Sequence, residues 1–231
     1  MRIGILGTGS YVPEKVLTND DLAKIVDTND EWITTRTGIK ERRIASENEA
    51  TSDLAFCAAK KAINDAGIDK NEIDLIIVAT MTPDHFTPST AALVQDKLGI
   101  KAAAFDISAA CTGFVYAFTT GYSFIKSGIY KKVLVIGAET MSRVMDWSDR
   151  GTCILFGDGS GAVVLGEVQT GGFCASHLVA DGSGACELIV PAGGSRKVVT
   201  VEALENKETY LQMNGREIFK FAVKVFPESV D

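Results

Sequence analysis

Histidine is scarce, with His85 and His177 the only two among 231 residues. The five cysteines Cys57, Cys111, Cys153, Cys174 and Cys186 are odd in number, scattered and never form a Cys-x-x-Cys pair. This argues against a disulfide framework and a structural zinc site. His85 has only Asp84 near it at ligand spacing and is read as a loop residue, so no metal site is expected. Positive charge is in deficit, 23 basic against 30 acidic residues for a net charge of −7. Nucleic acid is therefore not the expected partner, although a local basic patch is compatible with that balance. No apolar run approaches the length needed to span a bilayer. The chain enters strand-like sequence at once, without the charged and apolar segments of a secretory leader. A cytoplasmic protein with no membrane partner is expected. Gly4, Gly7 and Gly9 fall short of a Gly-x-Gly-x-x-Gly loop, and Pro13 interrupts any helix start, so dinucleotide binding is not expected.

What remains has the texture of an ordinary globular protein, 46% hydrophobic and 23% charged, long enough for one large domain or two small ones. Residues 2 to 8 read as a buried strand, 18 to 26 as a short helix, and 28 to 38 as a second helix stopped by Gly38. That second helix puts Trp32 and Arg36 four apart on one face. The pair suits a ligand with a ring and phosphates, or is simply an indole packed on a surface arginine. Lys40, Arg42 and Arg43 follow, a cluster fit for an anionic partner or for a solvated strand edge. Thr51 to Ala66 is an amphipathic helix whose spacing makes Cys57 a core residue. Residues 74 to 80 and 132 to 138 are continuous apolar runs, as in strands covered on both faces. Between them Thr87 and Pro88 open a helix running to about Leu98. Strands alternating with helices predict a layered α/β domain with a mostly parallel sheet.

At the centre lies the stretch from Ala104 to Phe118, which reads as strand, tight elbow and helix, with Cys111 at the elbow. The first amides of a helix and its dipole favour negative charge there. Cys111 is thus either a nucleophile or an inert core thiol. The following helix, apolar nearly all round, is expected in the middle of the structure. From Cys153 to Leu165 two apolar runs flank alternating glycines, a pattern that fits a hairpin better than a phosphate cradle, because no helix start follows. A further strand is expected at 171 to 181, a polar excursion at 182 to 209, and a helix opened by a capping box from Asn214 to Glu217 and interrupted at Pro227.

Taken together, the segments Asp106 to Phe114, Asp149 to Thr152, Phe156 to Gly159 and Trp32 to Ile39 resemble β-ketoacyl-acyl-carrier-protein synthase III, a condensing enzyme of the thiolase fold. The resemblance covers residues 1 to 231. It implies a thiolase-like α/β architecture in which residues 1–170 form the N-terminal half and 171–231 begin the second half. It also implies that Cys111 takes an acyl group from acyl-CoA for condensation with malonyl-acyl-carrier protein, with no cofactor, in a homodimer. By the same resemblance Thr28, Trp32, Arg36, Arg150 and Gly151 hold the nucleotide end of coenzyme A. Met213, Gly215, Phe219 and Ala222 line the pantetheine tunnel. Met141 and Phe156 bound the acyl pocket, which Phe86 closes from the partner subunit. The histidine and asparagine motifs of the family are missing, so the sequence is expected to be an N-terminal portion of such an enzyme. The alternatives are a truncated, non-catalytic relative that binds coenzyme A or a complete subunit, and a relative on the same fold such as a thiolase or a condensing enzyme of polyketide or ketone-body type.

Overall fold

The computed structural model describes residues 1–229; Val230 and Asp231, the last of the expected second-half segment, lie outside the described residues. In chain order the elements are β1 (Ile3–Tyr11), β2 (Lys15–Thr18), α1 (Asn19–Leu22), α2 (Asp30–Thr37), β3 (Glu41–Ile44) and α3 (Thr51–Asp65). Next come β4 (Leu75–Ala79), α4 (Thr90–Leu98), β5 (Ala103–Ile107), α5 (Gly113–Lys126), β6 (Val133–Thr140), α6 (Arg150–Cys153) and β7 (Asp158–Glu167). The chain continues through β8 (Leu188–Ile189), α7 (Val201–Glu205), β9 (Gln212–Met213) and α8 (Gly215–Glu228). Contacts group it into two discontinuous units, one of residues 1–15, 43–140 and 157–178, the other of 16–42, 141–156 and 179–231.

The first unit is a sheet of order β1-β7-β6-β4-β5. The pairs β4/β5 and β4/β6 are parallel, while β6/β7 and β1/β7 are antiparallel. The sheet is therefore mixed, where a mostly parallel one was expected. Alternation along each strand sorts the core into two layers. Ile76, Val78, Leu134, Ile136 and Val164 face α3 and α4. Leu75, Ile77, Val133, Val135 and Leu165 face α5.

The glycines of β1 answer to packing. A Cβ on Gly7 would lie 2.2 Å from the Ala66 nitrogen, and one on Gly9 would lie 2.3 Å from the Ala58 oxygen. Their spacing lets α3 lie directly on the strand, a close approach only glycine permits.

Several expectations fail. The glycines between 157 and 161 make no hairpin: Cys153 ends α6, and Gly159 and Gly161 lie inside β7, Gly159 paired to β6 and Gly161 to both β6 and β1. Residues 171–181 form no strand. Phe173 instead donates one backbone hydrogen bond to Ile3 and stacks on Tyr122 at 4.1 Å, so ring contacts pin the segment in place of a ladder. Helix α4 starts two residues after Pro88. Its first amides are held by the Ser89 hydroxyl and by Asp106, whose carboxylate accepts from Thr90 and Ala91 at 2.7 Å each. Only one side of α5 is buried, through Gly113, Ala117, Gly121 and Ile125, while Val115 remains 47% exposed. Cys57 is half-buried.

In the second unit Thr18 and Asp21 form a reciprocal capping box that starts α1. Asn29 caps α2, and Gly38, left-handed at φ 73°, closes it. Leu22, Ile33, Cys153 and Ile154 form a buried cluster with Trp32 and Trp147 against it. The expected capping box of α8 does not form: Asn214 makes no cap hydrogen bond, and Glu217 pairs with Lys220 at 2.6 Å. Pro227 lies in the last turn of α8, which continues to Glu228. The stretch from 182 to 209 carries β8 and α7, a little more order than expected.

Candidate active site

In the first unit, β5 runs into a turn of 3₁₀ helix over Ala110–Thr112 and then into α5. Ala110 holds φ +45°, a left-handed conformation that costs a residue with a Cβ about 1 to 2 kcal/mol. Strain of this kind survives where the surrounding structure over-determines it, and it gathers at functional sites. Cys111 comes next in the chain and is exposed. Thr112, at the N-cap of α5, donates its hydroxyl to the Ala109 carbonyl at 3.0 Å and puts no side-chain cap on the helix start. The elbow thus leaves Cys111 exposed just before α5, whose start no side chain caps. The alternative of an inert core thiol fails here on exposure. It describes Cys153, which is fully buried; burial, and then Asp149, push its thiol pKa up, opposed by Arg42. Phe86 lies in the loop before α4 and is 91% exposed, with His85 exposed beside it.

The second unit gathers most of the expected nucleotide group. The Arg36 guanidinium stands 4.4 Å from the Trp32 ring and that of Arg150 4.8 Å from it. Arg150 is held by the Asp27 carbonyl at 2.7 Å, with the Asp27 carboxylate 3.7 Å away. Thr28, next in the chain, has a buried hydroxyl without a hydrogen-bond partner. The Gly151 amide donates to the Asp149 carboxylate at 2.8 Å. Two cations over one indole repel each other, and an anionic ligand with an aromatic ring relieves that repulsion. Met141 is buried and Phe156 half-buried in this unit. Met213 and Gly215 adjoin where β9 meets α8, since a Cβ on Gly215 would lie 3.6 Å from the Met213 methyl. Further along α8, Phe219 is 69% exposed and Ala222 half-buried. No group of three or more metal-ligating side chains occurs among the described residues.

Sequence reasoning missed Arg42. It is neither solvated nor free for an anionic partner, being 5% exposed and bonded to Leu17, Asn19 and Ile154. Its signal was hidden in the basic cluster with Lys40 and Arg43.

Residues 105–182, which include the elbow, match the family model described as 3-oxoacyl-[acyl-carrier-protein] synthase III. The β-ketoacyl-[acyl-carrier-protein] synthase III of Caldanaerobacter subterraneus subsp. tengcongensis is 58% identical over 224 residues, covering 96% of this chain and 68% of that protein. The chain belongs to the β-ketoacyl-acyl-carrier-protein synthase III family. The synthase III of Natranaerobius thermophilus is 54% identical over 98% of this chain and 70% of its own length. The crystal structure of synthase III from Aquifex aeolicus superposes with a TM-score of 0.87 at 51% identity, covering 98% of this chain and 69% of that one. The thiolase-like α/β architecture is therefore that of synthase III. No helix among the described residues is long and apolar enough to cross a membrane.

Proposed function

We propose that the protein works as a β-ketoacyl-acyl-carrier-protein synthase III with Cys111 as its nucleophile, initiating fatty-acid synthesis. The exposed Cys111 beside the strained Ala110 carries this reading. The Cys111 thiolate attacks the carbonyl carbon of acyl-CoA. The tetrahedral intermediate collapses, the carbon–sulfur bond to coenzyme A breaks, and the coenzyme leaves as a thiolate that takes up a proton. Loss of carbon dioxide from malonyl-acyl-carrier protein then supplies the electron pair that bonds to the acyl carbon and expels the Cys111 thiolate. Acyl-CoA is a substrate in this scheme, and no cofactor is required.

Trp32, Arg36 and Arg150, with Thr28 and Gly151, hold the nucleotide end of coenzyme A. The two guanidiniums over the indole support that role. Met213, Gly215, Phe219 and Ala222 line the pantetheine path, and Met141 and Phe156 bound the acyl pocket. Phe86 closes that pocket from a partner subunit in a cytoplasmic homodimer; its nearly complete exposure in the single chain supports this. Residues 1–170 form the half that carries the nucleophile, and 171–231 open the second half. The relatives at more than half identity bear the synthase name, which disfavours a non-catalytic coenzyme A binder.

Incubation with acetyl-CoA followed by intact-mass analysis tests the first step. One acetyl group is expected on the wild-type chain and none on Cys111→Ala. Acetylation that persists in the variant, or is absent from the wild type, overturns the assignment of Cys111.

A further inference from the structure

Among the described residues Arg42 is the only buried lysine or arginine. All of its hydrogen bonds go to neutral acceptors. Its Nη1 donates to the Leu17 carbonyl at 3.1 Å, and its Nη2 to the Asn19 side-chain oxygen at 2.9 Å and the Ile154 carbonyl at 3.1 Å. Its Nε is buried with no partner. A cation taken out of water without a counter-charge is costly, and an apolar side chain of similar volume would fill the space at less expense. What a guanidinium adds is a rigid fork of donors that can bind acceptors from several segments at once.

The segments it joins carry the residues that grip the indole. Ile154 lies one helical turn beyond Arg150, so Arg42 caps the carbonyl end of the turn that presents Arg150. Asn19, 1% exposed, extends the connection. Its amide nitrogen donates to the Asp30 carboxylate and to the Ile39 carbonyl, each at 2.8 Å. Those two acceptors bracket α2, which carries Trp32 and Arg36. Direct hydrogen bonds thus run from the Arg150 turn through Arg42 and Asn19 to both ends of α2.

We propose that Arg42, acting through Asn19, is a positioning residue that sets the separation between the Trp32 indole and the Arg150 guanidinium, and hence the affinity for the nucleotide end of coenzyme A. This rests on the assignment of Trp32 and Arg150 to that nucleotide. Arg42 itself touches no ligand. Its contribution is where the Arg150 guanidinium stands relative to the indole, 4.8 Å from the ring in this structure.

The test compares binding of coenzyme A with binding of pantetheine, which lacks the nucleotide, to the full chain by titration calorimetry. Arg42→Met is expected to weaken coenzyme A by about tenfold or more while shifting pantetheine by less than about twofold, the scale on which small misplacements act. Arg42→Lys keeps the charge but has no fork, and Asn19→Ala removes the relay. Both are expected to show the same selective loss, and they carry the test if Arg42→Met does not fold. Trp32→Ala reports on the underlying assignment. If it keeps full affinity for coenzyme A, the nucleotide assignment falls and this proposal with it. If Trp32→Ala loses affinity while the Arg42 and Asn19 variants keep it, or lose both ligands in parallel, the positioning role alone is overturned.

Discussion

Replacing Gly9 with alanine tests the packing that supports the site. The new Cβ would meet the Ala58 oxygen at 2.3 Å, the Ala62 nitrogen at 2.4 Å and the Lys61 Cβ at 2.8 Å. The nearest two atoms belong to the α3 backbone and cannot swing aside as a flexible side chain would. To restore ordinary contact the helix must retreat by roughly 1 Å, a gap wide enough to forfeit a quarter to a half of each dispersion contact it loosens. Leu54, Ala55, Ala58, Ala59 and Ala62 are all fully buried on that helix, so the loss spreads along its length. A destabilisation of about 3 kcal/mol is expected, at the upper end for an overpacked core. Gly161→Ala is the internal control. It lies in β7 next to the residue paired with Gly9, a Cβ there meets nothing within 4 Å, and its φ is not positive. A strand glycine replaced without a clash is expected to gain about 0.5 to 1 kcal/mol. Urea unfolding monitored by circular dichroism reads both. A Gly9→Ala midpoint equal to wild type, or a Gly161→Ala loss as large as that of Gly9→Ala, would refute the reasoning.

Asp106→Ala removes two charge-assisted hydrogen bonds from the start of α4 and is expected to cost about 3 kcal/mol in urea unfolding; a cost below about 1 kcal/mol would show that solvent replaces them. Burial raises the Glu139 carboxyl above its ordinary value of 4.5, against opposing hydrogen bonds from Thr82, Met81 and Thr80. A raised carboxyl favours the fold most below the ordinary value, and that contribution is lost as pH rises through the folded value. The stability advantage of wild type over Glu139→Gln should thus be largest in acid and shrink toward neutrality, and an advantage that grows with pH contradicts this. Below the ordinary thiol value of 9.0, iodoacetamide should label the exposed Cys111, Cys174 and Cys186 and spare Cys153 until the chain unfolds. Mass mapping that finds Cys153 labelled in the native protein would count against its burial. Phe86→Ala is expected to weaken self-association measured by sedimentation, and an unchanged dimer would sink the assignment of Phe86 to a partner's pocket.

The features legible in the sequence were local ones. A strand running into a cysteine and then a helix of small and aromatic residues announces its elbow within fifteen positions, and the Trp32–Arg36 pair follows from helical spacing alone. Arg42 was illegible because its acceptors are a carbonyl 25 residues away, an amide 23 away and a carbonyl 112 away. Nothing in a basic triplet says which member turns inward. The misreading of β7 has a related cause. Glycines at 157, 159 and 161 look like a turn, yet Gly159 and Gly161 lie inside β7, and the strands that pair with it stand far from it or across a helix in sequence. Gly7 and Gly9, whose spacing falls short of a binding loop, record the passage of a helix built about fifty residues later.

The place of β7 between β1 and β6 matters for how the protein is made. Its first residue follows the last residue of β1 by 147 positions, Tyr11 to Asp158. At ribosomal rates of about 5 to 20 residues per second, the first strand emerges and then waits roughly 7 to 30 s for the partner that covers its edge. Through that interval the nascent chain exposes an unpaired strand bearing Ile3, Ile5 and Leu6, the kind of edge that invites pairing with another copy. Until the chain has been made as far as Glu167, β1 lacks the strand that pairs along its whole length.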